Sequence, residues 1–173
     1  MNKLILRKIT LCAVLSAFAT ITFVIENLFP PIVLPGAKMG LSNVFILLSV
    51  LLVGIRYGFI TLFVKTILGS LFAGNLSSII YSLPAGLFAL IIETVLLFII
   101  KKVSLPAVSV AGAVINSSVQ NLIFCLVTNS VEMLYYLPYL SLISVVTGFL
   151  IGLTVHLVIK RLPERLFLTL SND

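Results

Sequence analysis

The chain has 173 residues, of which 61% are hydrophobic and 9% are charged, and its formal net charge is +6. Together with a mean hydropathy of +1.29, this composition excludes a soluble globular domain and is typical of a protein that crosses the membrane several times. A bilayer-spanning helix needs about 20 mostly apolar residues, so the chain has room for about six spans and for no separate catalytic domain.

Apolar runs separated by prolines, glycines and charged residues divide the chain into predicted helices. Their expected ranges are 10–28, 41–53, 57–72, 78–100, 105–129 and 135–159. We therefore predict one all-α integral membrane domain, a bundle of six transmembrane helices. The N-terminus also has the basic start and the A-x-A-like end of a cleaved signal peptide, but its apolar run continues to Ile25, which favours a span.

Basic residues concentrate on one side of this predicted bundle. That side collects Lys3, Arg7, Lys8, Arg56, Lys101, Lys102, Lys160, Arg161 and Arg165. The other side has Lys38 with Glu26 and Glu132. The positive-inside rule then places both termini in the cytoplasm. Because the basic residues are topology signals spread over four short segments, they do not indicate a nucleic-acid partner.

Lys65 and Glu93 are ionisable residues within predicted spans, which makes them functional candidates. Counted from the predicted helix ends at 1.5 Å per residue, each lies about 12 Å from the cytoplasmic side. Opposite charges at matched depth on consecutive antiparallel helices predict an intramembrane ion pair. Two interpretations remain open, a structural pin and a proton or ion relay.

A second polar set lies toward the outer side of the predicted bundle. It comprises Glu26, Lys38, Asn43, Asn116 and Gln120, and the last two are four residues apart on one helix face. Polar side chains in a bilayer must face protein, water or a ligand. The set is therefore either a group of interhelical hydrogen bonds or the lining of an outward-facing ligand pocket.

The loop PPIVLPGAKMGLSN, residues 30–43, carries Lys38 between prolines and glycines. Proline lowers the conformational entropy of a loop, so this loop can hold Lys38 over an outward cavity, where an ammonium suits an anionic ligand. Alternatively, Lys38 extends to the membrane interface.

Small residues recur at four-residue spacing on two predicted helices. Ala13 and Ala17 form an AxxxA motif on the first helix, and Gly148 and Gly152 form a GxxxG motif on the last. Both motifs allow close helix approach, either within the bundle or against a partner.

Taken together, the six spans, the early AxxxA motif and the outer-loop sequence PGAKMGLSN resemble the Gx transporter family, which is also labelled heptaprenyl diphosphate synthase component I. That family is similar to the substrate-binding S components of energy-coupling factor (ECF) transporters. The resemblance implies a multi-pass protein of the bacterial cell membrane that binds a small nutrient or cofactor precursor at its outer end.

The resemblance also implies partners and roles for particular residues. Ala13 and Ala17 would dock the chain to a transmembrane coupling (T) protein, which is driven by two cytoplasmic ATPases. Lys38, Asn43, Asn116 and Gln120 would contact the ligand. Any ATP energy must come from these partners, because the chain has no Walker motif.

The synthase label can be tested by chemistry. Magnesium is held by oxygen ligands, usually carboxylates together with phosphate, but Asp173 is the one aspartate and the four glutamates are scattered. We therefore expect no catalytic residues, no metal site and no cofactor, and hence a non-enzyme. The alternatives to an importer subunit are a non-catalytic membrane anchor of a prenyl diphosphate synthase and a stand-alone secondary carrier.

Overall fold

The computed structural model describes residues 3–28, 40–100 and 103–163. Within these ranges the secondary structure is entirely helical, which confirms the predicted all-α fold class. The helices are α1 (Lys3–Leu28), α2 (Asn43–Leu52), α3 (Ile55–Phe72), α4 (Ser78–Ile99), α5 (Leu105–Thr128) and α6 (Leu137–Arg161), and a 3-10 helix (Val131–Tyr136) leads into α6.

Five of these helical segments are long and apolar enough to cross a membrane: α1, α3, α4, α5, and α6 together with the 3-10 helix before it. Helix α2 has 10 residues and is therefore about 15 Å long, half the thickness of the hydrocarbon core. The structure thus supports a multi-pass membrane bundle, whereas the six-span count and the cytoplasmic termini stay predictions. Lys38 lies outside the described residues.

The long helices pack in chain order, with α1 on α3, α3 on α4, α4 on α5 and α5 on α6. Helix α2 contacts α1, α3 and α6, and six of its ten residues are buried. Leu47 and Leu48 of α2 join Leu15 of α1 and Val155 of α6 in one apolar cluster. A helix that is apolar all round belongs in a protein interior, so α2 forms the buried centre of the bundle.

The two ends of α6 differ in the way expected of a membrane helix. Tyr135, Tyr136 and Tyr139 are exposed where the helix begins, and its last turn carries Lys160 and Arg161. Tyrosines are enriched at membrane interfaces, and basic residues flank the cytoplasmic ends of spans.

The GxxxG motif of α6 brings two helices of this chain together. A Cβ atom at Gly148 would lie 2.8 Å from the Cα of Val110, and one at Gly152 would collide with the backbone of Pro106. Both contacts are with α5. The motif therefore serves packing within the bundle, the first of the two interpretations that its spacing left open.

Candidate functional site

Polar side chains from five helices meet at one small cavity. Four of the five residues that the sequence suggested as ligand contacts line it, namely Glu26, Asn43, Asn116 and Gln120. The fifth, Lys38, falls outside the described residues. The remaining lining residues are Phe23, Gly40, Ser42, Lys65, Ser82 and Gly86. We refer to this cavity as the polar pocket.

Lys65 is the cationic residue of the polar pocket. Its side chain is 5% exposed, and its ammonium donates hydrogen bonds to Ser42 Oγ (2.9 Å) and to Asn43 Oδ1 (2.7 Å). The ammonium also lies 5.9 Å from the centre of the Phe23 ring, within the range of a cation–π interaction. These partners explain how a charged group is accommodated inside the bundle.

Lys65 also connects α3 to the start of α2. It follows Ile55 by ten residues and precedes Phe72 by seven, so it lies near the middle of α3. Because Lys65 contacts Ser42 and Asn43, α2 starts within reach of the middle of α3. The sequence analysis assigned Lys65 to Glu93 and missed it as a pocket residue; the signal was the pair Ser42–Asn43, which offers oxygen acceptors at the start of a helix.

The backbone at the start of α2 satisfies its own donors. Gly40 adopts a positive φ of 73°, a conformation that glycine reaches without strain, and the amides of Asn43 and Val44 donate to the carbonyls of Gly40 and Leu41. Glu26 Oε1 accepts a hydrogen bond of 2.5 Å from the Leu41 amide, which ties the end of α1 to this turn. The amides of Leu41, Asn43 and Val44 are therefore already hydrogen-bonded within the chain.

The polar pocket is small. Its volume among the described residues is about 20 Å³, which is enough for about one water molecule.

Asn116 borders the polar pocket from α5. Its amide makes no hydrogen bond to any of the residues that the structure describes, although Gly40 and Asn43 lie next to it. An amide that only linked two helices would be expected to have a partner. Asn116 therefore has polar atoms available at the border of the pocket.

Glu93 does not line the polar pocket and follows the pocket residue Gly86 by seven residues along α4. It is 6% exposed, its carboxylate packs against Gly112 of α5, and Lys65 acts on it electrostatically. Glu93 precedes the end of α4 by six residues and Lys65 follows the start of α3 by ten, or about 9 and 15 Å along the helix axes. Lys65 and Glu93 thus lie at different distances from the observed ends of their helices, whereas the sequence predicted equal distances. The predicted Lys65–Glu93 ion pair stays a prediction.

The predicted docking residues lie on the outer surface of α1. Ala13 and Ala17 are both exposed, and they line an apolar groove between α1 and α3 with a volume of about 550 Å³. Ile60 and Val64 contribute to the facing wall. Because small residues allow close approach, this surface can accommodate a helix.

A hydroxyl network that the sequence analysis missed joins α1, α2 and α3. Ser16 Oγ donates to Thr61 Oγ1 (3.3 Å), and Thr61 Oγ1 donates to Ser49 Oγ (3.1 Å). All three side chains are buried. Hydrogen bonds of this kind hold membrane helices together, so here the polar groups are structural.

The described residues contain no group of three or more His, Cys, Asp or Glu side chains arranged to hold a metal ion. The candidate site consists of hydrogen-bonding and charged side chains.

Comparison with known families gives one match, to the model described as heptaprenyl diphosphate synthase component I, over residues 15–158. The chain belongs to this family. The matched range runs from α1 to α6 and includes the polar pocket. The family description names a component of a synthase, in agreement with a subunit that is not itself the enzyme. No curated protein and no solved structure matches the chain.

Proposed function

We propose that the chain is a membrane subunit that binds a small polar molecule in the polar pocket and transfers it to partner proteins, in the manner of an S component of an ECF-type importer. The observation that supports this proposal is the convergence of Lys65, Asn43, Asn116 and Gln120 on one cavity in the membrane interior. Polar and ionisable groups are costly there, and they usually mark a binding site or pathway.

The distribution of hydrogen bonds favours binding over helix association alone. The Ser16–Thr61–Ser49 network shows how this bundle links helices, through hydroxyl groups that bond directly to each other. In the polar pocket, by contrast, the Asn116 amide has no hydrogen-bond partner among the described residues although it borders a cavity. A ligand with a carbonyl, carboxylate or amine group would satisfy it.

The proposed partners are a membrane coupling protein and two cytoplasmic ATPases. The groove that contains Ala13 and Ala17 supports the first of these, because it is exposed, apolar and lined by small residues on α1.

The family match supports a second candidate function, a membrane anchor for a synthase, more directly than it supports the importer subunit. The family description names a component of heptaprenyl diphosphate synthase, and a chain with one aspartate and four scattered glutamates lacks the clustered carboxylates that magnesium–diphosphate chemistry requires. In this role the chain would be a membrane anchor for a catalytic partner, and the polar pocket would serve helix packing.

The two candidates differ in what they bind. The test is affinity purification of the chain from its native membrane in mild detergent, with mass spectrometry of the proteins and small molecules that accompany it. A coupling protein with two ATPases, and a small molecule lost from an Asn116→Leu variant, supports the importer subunit. A prenyl diphosphate synthase without ATPases, and no difference between wild type and Asn116→Leu, supports the anchor.

A further inference from the structure

Glu93 is a buried carboxyl group that neither the polar pocket nor the helix-linking hydrogen bonds account for. It is 94% buried, since 6% of its surface is exposed, and it accepts no hydrogen bond from the residues that the structure describes. Glycine at position 112 makes room for it, because a Cβ atom there would collide with the carboxylate. A carboxylate in such a setting is costly unless it is neutralised or paired.

Few charged groups are available to neutralise Glu93. Helices α2 and α5 carry no charged side chain, and Glu93 is the one such residue of α4. Helix α3 contributes Lys65, which acts electrostatically on Glu93, while its other basic residue, Arg56, is at the start of the helix. The charged residues of α6 and its histidine lie in its last two turns, and those of α1 lie near its two ends.

A proton suits this site better than a metal ion. A metal ion needs several oxygen ligands, and Glu93 belongs to no group of potential metal-binding side chains within the described ranges. The residue that faces Glu93 from α5 is Gly112, which has no side chain that could act as a second ligand. A proton needs only the carboxylate itself.

Glu93 is connected to the polar pocket by two routes. On α5, Gly112 precedes Asn116 by four residues and Gln120 by eight, so all three lie on one helix face. On α3, Lys65 lines the pocket and acts on Glu93 from there. A negative charge that enters the pocket beside Lys65 would offset the ammonium and thereby favour the protonated form of Glu93.

We propose that Glu93 is a proton-binding site whose occupancy is coupled through Lys65 to the charge held in the polar pocket. The reaction is the reversible addition of one proton from bulk water to the carboxylate, which gives the neutral carboxylic acid. By linkage, an anion in the pocket promotes proton uptake at Glu93, and protonation of Glu93 strengthens anion binding by the same factor. This proposal does not depend on which partners the chain has.

Infrared difference spectroscopy of the purified protein tests the proposal without a known ligand. A protonated carboxylic acid has a carbonyl stretch that a carboxylate lacks. We expect a buried carboxylic acid band that titrates with pH in the wild type, is lost in Glu93→Gln, and persists in the control Glu132→Gln, since Glu132 is an exposed residue of the 3-10 helix.

Two further variants test the coupling. Lys65→Met removes the ammonium, so the midpoint of the Glu93 band should move to higher pH. Asn43→Asp places a carboxylate against the ammonium and imitates a bound anion, so it should move the midpoint in the same direction even if Lys65→Met does not fold. The proposal is overturned if wild type and Glu93→Gln have the same spectrum at every pH, or if the band does not move in the folded coupling variants.

Discussion

The ammonium of Lys65 donates a hydrogen bond of 2.7 Å to the side-chain oxygen of Asn43, and this contact joins the middle of α3 to the first residue of α2. A buried cation must find acceptors, and the start of a short helix supplies them. The contact therefore links the start of α2 to the polar pocket.

Replacing Asn43 with leucine should destabilise the bundle. Lys65 would lose one acceptor of a charge-assisted hydrogen bond, and such bonds contribute about 1.5–3 kcal/mol. The unfolding temperature can be followed in detergent with a thiol-reactive dye, because Cys12 and Cys125 are both buried and free. Thr154→Val, on an exposed face of α6, is the control and should unfold like the wild type. An unchanged unfolding temperature for Asn43→Leu would show that this contact is not important for stability.

The double variant Lys65→Met with Glu93→Gln should lose less stability than Lys65→Met alone. The single change leaves a buried carboxylate without its cation, which costs about 3–5 kcal/mol when the carboxylate stays charged. If folding instead requires Glu93 to be protonated, the folded state binds more protons than the unfolded state, and the stability of the single variant falls as pH rises. The same dye assay at several pH values measures this. Equal loss of stability in both variants at every pH would contradict an interaction between the two residues.

Introducing a side chain at Gly152 should disrupt the contact between α5 and α6. A Cβ atom there collides with the backbone of Pro106, and backbone cannot move aside as a flexible side chain can. We expect Gly152→Ala to cost about 1–3 kcal/mol and Gly152→Val to cost more, measured by thermal unfolding. Leu150→Ala, at a half-exposed position on the same helix, should have a much smaller effect. A wild-type unfolding temperature for Gly152→Val would mean that α6 does not approach α5 this closely.

Enlarging both Ala13 and Ala17 to leucine should remove partner association and leave the bundle folded. Both residues are exposed on α1 and line the groove between α1 and α3, so larger side chains fill the groove without disturbing the interior. Co-purification from the native membrane measures association, and gel filtration checks folding. The control is Val14→Leu, a neighbouring exposed position outside the groove. Undiminished association would place the docking surface elsewhere.

Several helix boundaries follow from local signals in the sequence. The predicted starts at residues 78 and 105 coincide with those of α4 and α5, because Gly74 has a positive φ and Ser104 accepts a hydrogen bond from the Ala107 amide as an N-cap. The predicted start of α1, residue 10, was seven residues too late. The prediction had assigned Lys3, Arg7 and Lys8 to a segment before the helix. They belong to it: Lys3 and Arg7 are exposed at the helix end, where basic side chains can extend toward water, whereas Lys8 is buried.

The polar pocket was predictable in part. Asn116 and Gln120 share a helix face by spacing alone, and both line the polar pocket. Ser42 and Asn43 offered acceptors for Lys65, but a depth counted from helix ends cannot show that the start of α2 lies within reach of the middle of α3. Which acceptors surround a buried cation depends on tertiary packing that periodicity does not record.

The turn that precedes α2 has a consequence for how this scaffold can diversify. The amides of Asn43 and Val44 bond to carbonyls of the same turn, and the Leu41 amide bonds to the Glu26 side chain. Under the proposed function, the side chains at positions such as 43, 116 and 120 would then contribute to the selectivity of the pocket. Substitution there would alter the preferred molecule while every helix keeps its place, so proteins with one architecture could evolve to hold different molecules.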